Sequence, residues 1–516
     1  ALGLARAGRV RVASFARFAA DLFREFGGMA GDYADDAARL TAMKLALQQC
    51  RGQLSAYGPL AGRSDFPQQM VGQVAEFKNA GLTGADLELA EAGVGDGPLR
   101  EKLSDLSLLW SLYEGILGEH YIDGLDSLSR AAMLCAEHRW FAGRKVWLDG
   151  FKSFTAVQER LIGLMLAQKA EVTVTLPIGG EDSRFFVPRE TARRLRALAW
   201  KAGEQAASPI RLDRDGFAAP ELAHFSKEVL RSNPRPFAGE NRAVECAALF
   251  HEFDEAEFAA ARVLAYAREE GYAFEEIAVL VRDLPKYGPL LEAAFDRYDI
   301  PFYMDRVESV DVLPLFRFVA HLMQAAAKRY AREELLAMLK CGLLPLSLGE
   351  IAAFESYTYV WNVDHHQLLE PFFRHPAGYA AQPMTEAESE ELAAAEAVRQ
   401  QAVGWIFFFL ERYEALCSWP RALYAVLERM DLPARIGERV LALAKENRQQ
   451  DSDDLRRSWE ALAQLLTVMD RVLAGQRLDL RDFCALFTAG AAGCGLGRIP
   501  QTLDSVLVGS AERVRL

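Results

Sequence analysis

The chain has 516 residues, 51% hydrophobic and 25% charged, with mean hydropathy of −0.03. This is a globular composition too long for one core, and it predicts about three or four domains. A formal charge of −13 excludes a surface that wraps nucleic acid everywhere, but not a local basic groove, because phosphate contacts depend on where Arg and Lys stand.

No apolar run reaches the ~20 residues of a membrane span, so no membrane partner is expected. Seven cysteines, Cys50, Cys135, Cys246, Cys341, Cys417, Cys484 and Cys494, are scattered without a CxxC pair. That fits buried thiols in a reducing, cytoplasmic compartment. No metal site is expected from them. The opening ALGLARAGRVRV has neither a signal-peptide pattern nor an initiating Met, and the expectation is that the true start lies upstream.

In chain order, Gly8–Phe15 reads as a buried strand (Val10, Val12) with a Ser-Phe tip, followed by a helix from Arg17 that Gly27-Gly28 stops. From Asp32 to Trp140 the pattern is helical, with Leu103, Leu106, Leu109, Trp110 and Tyr113 on one stripe. Gly93, Gly95 and Gly97 follow no strand, so they read as a loop and not as a dinucleotide fingerprint. Val146–Leu148 and Val172–Leu176 bracket a helical stretch, a βαβ unit whose first strand ends on Asp149-Gly150-Phe151. Ligands of open α/β sheets collect at such strand tips, and an Asp there can hold Mg²⁺ on a phosphate or simply cap a helix. Residues 188–203 read as a helix with a solvated basic face, and the Pro- and Ser-rich stretch 204–240 reads as a linker.

Beyond the linker, Val244–Leu249 and Ile277–Val281 are strand-like, and Glu255–Glu270 is a helix ended by Gly271. A further helix carries Leu291, Ala294, Phe295 and Tyr298, then a strand follows Pro301. Alternation of this kind predicts a parallel sheet with right-handed crossovers. From Val312 to Thr488 the chain is helical again, with Leu315, Val319, Leu322 and Met323 as a core stripe and Trp405–Leu410 as a buried apolar segment. Gly495–Ile499 reads as loop and Ser505–Gly509 as a last strand.

The expected fold class is therefore α/β, with two parallel-sheet cores each interrupted by a helical insertion. The boundaries are 1–30 with 136–203 for a first, incomplete core, 31–135 for its insertion, 204–240 for the linker, 241–311 with 496–516 for a second core, and 312–495 for its insertion.

That plan resembles a superfamily 1 DNA helicase with two RecA-like cores. Four phrases go further. VWLDGFKSFTAVQERLIGLMLAQKAEVTVTLPI, GYAFEEIAVLVRDLPKYGPLLEAAFDRYDIPFYMD, LKCGLLPLSLGEIAAFESYTYVWNV and IPQTLDSVLVGSAERVR are similar to the B subunit of the bacterial AddAB helicase–nuclease, in order across nearly the whole chain. The resemblance implies a phosphate loop upstream, and a nuclease domain with a 4Fe-4S cluster downstream, both outside this sequence. It implies ATP and Mg²⁺ for the full-length protein, no cofactor within this stretch, the A subunit as heterodimer partner, and single-stranded DNA at a duplex end as ligand.

In active motors of this superfamily the strand-tip Asp is followed by a Glu that activates water. Gly150 stands there instead, so the resemblance implies a degenerate motor and no catalytic residue. Nucleotide-site candidates are Asp149, Gln158 (resembling a coupling Gln, or a solvent-facing helix residue), Arg282 (facing a γ-phosphate, or pairing with Asp283) and Arg515. DNA-contact candidates are Ser14, Phe15, Arg17, Phe151, Ser153, Phe154, Thr155 and Arg513, since hydroxyls suit phosphate oxygens and aromatics stack bases; each Phe could equally be core. The reading is a helicase-like DNA-binding region that tracks a strand and recognises a regulatory sequence during double-strand-break repair. Two alternatives remain: an active helicase whose ATP site lies outside this sequence, and a non-enzymatic helical scaffold.

Overall fold

The computed structural model describes residues 10–27, 31–178, 185–212, 216–229, 231, 233–304, 307–379, 382–446, 448–497 and 504–511. Strands β1 (Lys145–Leu148), β2 (Glu171–Val174), β3 (Ala278–Val281), β4 (Phe302–Met304), β5 (Val307–Ser309), β6 (Gly495–Gly497) and β7 (Val506–Ser510) are set among many helices. The fold is mostly helical with small parallel sheets, an α/β arrangement. The chain divides into two compact units, Ala1–Gly27 with Ser127–Arg306 and Gly497–Leu516, and Gly28–Asp126 with Val307–Leu496.

In the first unit the predicted βαβ element is present. β1 and β2 pair in parallel from Lys145↔Glu171 to Leu148↔Val174, joined by the helix Ala156–Ala167. Thr155 and Gln158 close a reciprocal capping box at its start, which satisfies backbone N–H groups that the first turn leaves unpaired. Val157, Leu161, Ile162 and Met165 form its buried face. Phe18 of the helix Phe15–Phe26 packs against Trp140 and Phe141, and Phe26 stacks on His138 at 4.1 Å between ring centroids.

The second sheet of this unit has the order β3-β7-β4, all parallel. The last strand of the chain thus enters between two strands made two hundred positions earlier. Its Val506 and Val508 are fully buried. They meet Ala256, Ala260 and Val263 from the helix Glu252–Glu269, and Leu291, Ala294 and Phe295 from the helix Leu284–Arg297.

The second unit is built on the helix Asp36–Cys50. Its residues Ala37, Ala38, Leu40–Leu47 and Cys50 are all buried, and a helix buried on every side belongs in the middle of a core. Helices Phe66–Asn79, Pro98–Gly118, Gln449–Val472 and Leu480–Ala492 surround it. The two helical stretches of the sequence accordingly share one hydrophobic core, with Met43, Tyr113, Phe316, Leu465 and Phe487 in the same cluster. Gly493 sits where a Cβ would fall 2.7 Å from the Asp36 and Ala37 backbone, so the two helix ends approach more closely than a side chain permits.

A buried charge cluster ties the outer helices together. Lys78 Nζ lies 2.6 Å from Glu114, 2.6 Å from Asp123 and 3.0 Å from Asp126. Arg39 reaches Asp123 at 3.2 Å. Burial pushes the Lys78 amine down, but hydrogen bonds to Asp123 and Glu114 outweigh it and the net shift is upward. Burial likewise pushes Asp123 up, and Lys78 brings it below the ordinary carboxylate value.

Four expectations are corrected. Residues 10–14 form no strand, and Val10 and Val12 are 50% and 92% exposed; alternation with Arg mimics a half-buried strand, but no described strand offers a ladder to it. Residues 244–249 are irregular, with the Val244 N–H and C=O taken by Asn241 in a local turn. The helix Glu386–Leu416 buries Ile406 and Phe409 but leaves Phe407 63% exposed, so its apolar run is one buried face with an exposed ring beside it. Gly495–Gly497 is not loop; it pairs with β5 as β6. A helix, Pro220–Glu228, also lies inside the stretch predicted as linker.

Candidate nucleotide and DNA-contact site

Asp149 follows the last residue of β1, exposed, as the βαβ pattern predicts. The parallel register continues one step past the strands: the Thr175 N–H donates to the Leu148 carbonyl at 3.0 Å, and the Thr175 hydroxyl donates to Asp149 Oδ1. The sequence reading missed Thr175, although the register places it opposite Asp149 once Leu148 is paired with Val174. Gly150 has φ of +89°, in the left-handed region that L side chains adopt only at a cost. The glycine therefore does more than omit a carboxylate. It sets a turn that a Glu would strain.

Gln158 is engaged in the capping box. Its side-chain oxygen accepts from the Thr155 N–H at 2.9 Å, and its own N–H donates to the Thr155 hydroxyl at 3.3 Å. Thr155 is thus the cap residue itself, with both its N–H and its hydroxyl used locally. Arg282 is exposed at the tip of β3. Asp283 caps the next helix by accepting from the Lys286 N–H at 3.1 Å, and no Arg282–Asp283 ion pair occurs among the described residues. Arg513 and Arg515 lie outside the described residues.

The DNA-contact candidates converge from two segments. Ser14 caps the helix Phe15–Phe26 by accepting from the Arg17 N–H at 3.2 Å. Phe15 meets Phe151 at 5.5 Å, and Phe151 meets Phe154 at 4.8 Å, between ring centroids. Phe154 is buried at 6% exposure and serves as the floor; Phe15 and Phe151 are half-buried, while Ser14, Arg17 and Ser153 are exposed. The first strand's expected tip and the Asp149 turn thus form one small aromatic and hydroxyl surface without the strand. A separate cavity of about 690 Å³ in the helical unit, lined in part by Asp35, Gln68, Gln464, Gly493 and Cys494, holds none of the nucleotide-site or DNA-contact candidates.

The family model "ADDB, N-terminal" matches residues 2–226, which include the βαβ unit and its Asp149 turn. Curated relatives described as the B subunit of an ATP-dependent helicase/deoxyribonuclease match almost end to end. The protein from Moorella thermoacetica is 29% identical over 547 residues, covering 100% of this chain and 47% of the relative. That from Desulforudis audaxviator is 28% identical over 540 residues, covering 99% and 46%.

The chain is similar to these B subunits over nearly its whole length.

The protein from Heliobacterium modesticaldum, of the same description, is 26% identical with 99% of this chain covered. The chain spans about half the length of the curated relatives it matches. All seven cysteines are free thiols, and burial pushes Cys135, Cys484 and Cys494 up to about 12. No group of three or more His, Cys, Asp or Glu able to hold a metal occurs among the described residues. For a Mg²⁺–nucleotide, the tip of β1 supplies one carboxylate, Asp149, already bonded to a hydroxyl. No helix among the described residues is long and apolar enough to cross a membrane.

Proposed function

We propose that this chain is the helicase-like, DNA-gripping region of the B subunit of a heterodimeric ATP-dependent helicase–nuclease that processes double-strand breaks, with the A subunit as its partner. The two sheet-bearing pieces, 1–30 with 136–203 and 241–311 with 496–516, are the remnants of two motor-type cores. Their role is to hold and follow one DNA strand and to recognise a regulatory sequence in it. ATP and Mg²⁺ serve the full-length assembly. The observation that carries the degenerate-motor reading is Gly150 at φ +89° beside Asp149, where a water-activating acid is missing and the backbone disfavours one.

The aromatic and hydroxyl surface of Phe15, Phe151, Ser14 and Ser153 supports the DNA-gripping part. Phe151→Ala in the full-length heterodimer should lower single-stranded DNA affinity by about 1–3 kcal/mol, the worth of one stacked base, as read by fluorescence anisotropy. The motor reading is tested in the same assembly with the A subunit's ATP site inactivated. Weak DNA-stimulated ATPase activity, insensitive to Asp149→Ala, is expected. Robust activity abolished by Asp149→Ala would make this an active helicase and overturn the reading.

A further inference from the structure

The helical unit carries an exposed face that the function above does not use. Where the helix Leu348–Val360 ends, the segment Pro371–Tyr379 folds back against it. Hydrogen bonds and a close glycine approach hold this strap. The Arg374 N–H donates to the Tyr357 hydroxyl at 3.0 Å, the Trp361 indole N–H donates to the His375 carbonyl at 2.9 Å, and Gly378 at φ +91° leaves only 3.3 Å between an added Cβ and Val360. Phe372 is buried and stacks on Tyr357 at 4.1 Å, so the strap is fixed by the fold, yet the rings on either side of it face outward. Tyr379 is 98% exposed, Phe373 70% and Tyr359 54%.

Guanidinium groups lie among these rings. Arg374 stands over Trp361 at 4.9 Å and over Phe373 at 5.8 Å, and Arg332 stands over Tyr359 at 4.3 Å. Tyr379 meets Trp361 edge-on at 5.0 Å. Neither arginine makes a salt bridge among the described residues; Arg332 is instead anchored to the Thr358 carbonyl at 3.2 Å. The two guanidiniums hold rings, the Thr358 carbonyl and the Asn362 side-chain oxygen at 3.5 Å rather than a carboxylate. Nearby acids are committed elsewhere: Glu355 pairs with Lys340, and Asp364 accepts from the Arg332 and His365 N–H groups.

Outward rings interleaved with guanidiniums that form no salt bridge among the described residues match one chemistry best. Bases stack on the rings, phosphates neutralise the arginines, and guanidinium planes stack as well. A protein partner's apolar surface would use the rings but leave the charges unmet. We propose that Arg332, Tyr359, Trp361, Phe373, Arg374 and Tyr379 form a second single-stranded DNA contact in the helical unit, separate from the Phe15–Phe151 surface. This rests on the DNA-gripping reading and extends it to a site for further nucleotides of the same strand.

The test uses the full-length heterodimer and a short oligothymidylate carrying 5-iodouracil. Ultraviolet cross-linking should label the peptide 372–379. Tyr379→Ala and Phe373→Ala should each weaken oligothymidylate binding on the order of tenfold, and Arg374→Ala should flatten the dependence of log affinity on log salt by about 0.7. All three side chains are exposed, so circular dichroism should remain unchanged. Cross-links confined to the Phe15 and Phe151 segments, with the Tyr379 and Phe373 variants binding normally, would overturn this inference and leave the DNA-gripping reading intact. No oligothymidylate binding by the unmodified protein would overturn both. Variants that keep DNA affinity but fail to assemble with the A subunit would mark the face as a protein interface and overturn it too.

Discussion

Gly150→Glu restores on paper the carboxylate that an active motor would carry, and the structure says it should fail. At φ +89° a residue with a Cβ costs about 1–2 kcal/mol. Reduced freedom of the unfolded chain returns about 0.4–1 kcal/mol of this. The net loss of roughly 1 kcal/mol should lower the melting temperature by about 2–4 °C for a domain of ~200 residues. If the missing acid alone silenced the site, adding it would raise turnover about 10²–10⁴-fold. No such gain is expected, because Gln158 is locked in its capping box and Asp149 is bonded to Thr175. The assay is DNA-stimulated ATP hydrolysis by the full-length heterodimer with the A subunit's site inactivated, alongside differential scanning calorimetry. A gain of roughly a hundredfold with an unchanged melting temperature would refute both the strain argument and the degenerate-motor reading.

Other outcomes follow from the helical unit. Lys78→Met leaves Asp123, Glu114 and Asp126 around a lost cation and should cost about 3–5 kcal/mol in urea unfolding; a loss under 1 kcal/mol would show the cluster to be solvent-relaxed. Asp123 is held below its ordinary value, so its contribution is complete above the ordinary carboxylate range near ~4 and drains away as pH falls through the lower native value. Lys78 is held above its ordinary value, so its share is complete below the ordinary amine range and is lost as pH rises through the native value. Unfolding free energy in the Lys78→Met protein should therefore be less sensitive to acid than in the parent. Gly493→Ala, against the Asp36 and Ala37 backbone, should cost about 1–3 kcal/mol. Gly72→Ala, a helical position with nothing within 4 Å, should be neutral or stabilising by up to ~1 kcal/mol; equal effects at the two sites would contradict the packing.

Local chemistry was legible in the sequence; long-range partnership was not. The strands around Asp149 and the helix stops at Gly27 and Gly271 (φ +77° in both) follow from apolar runs and punctuation that act within a few residues. Val10 and Val12 carry a strand's alternation, but a strand exists only with a neighbour to bond, and the sequence cannot say whether one is present. The helix Asp36–Cys50 is legible as a helix, but its burial on every side depends on helices near the other end of the chain that close around it. At the candidate site, residue types pointed to Phe15, Phe151 and Asp149. The positive φ of Gly150, the capping role of Gln158 and the hydroxyl of Thr175 depend on backbone geometry, which only the folded βαβ turn defines.

The shared core of the helical unit also constrains how the protein is made. The helix Asp36–Cys50 leaves the ribosome with apolar faces whose partners, Gln449–Val472 and Leu480–Ala492, are roughly 400 residues behind it. At synthesis rates of about 5–20 residues per second, that is a wait on the order of 20–80 s. Closing so long a loop adds only a logarithmic entropy term, so the hazard is kinetic: a nascent chain whose most buried helix is for a time its most adhesive one, and whose premature termination anywhere before the late helices strands that surface in the open.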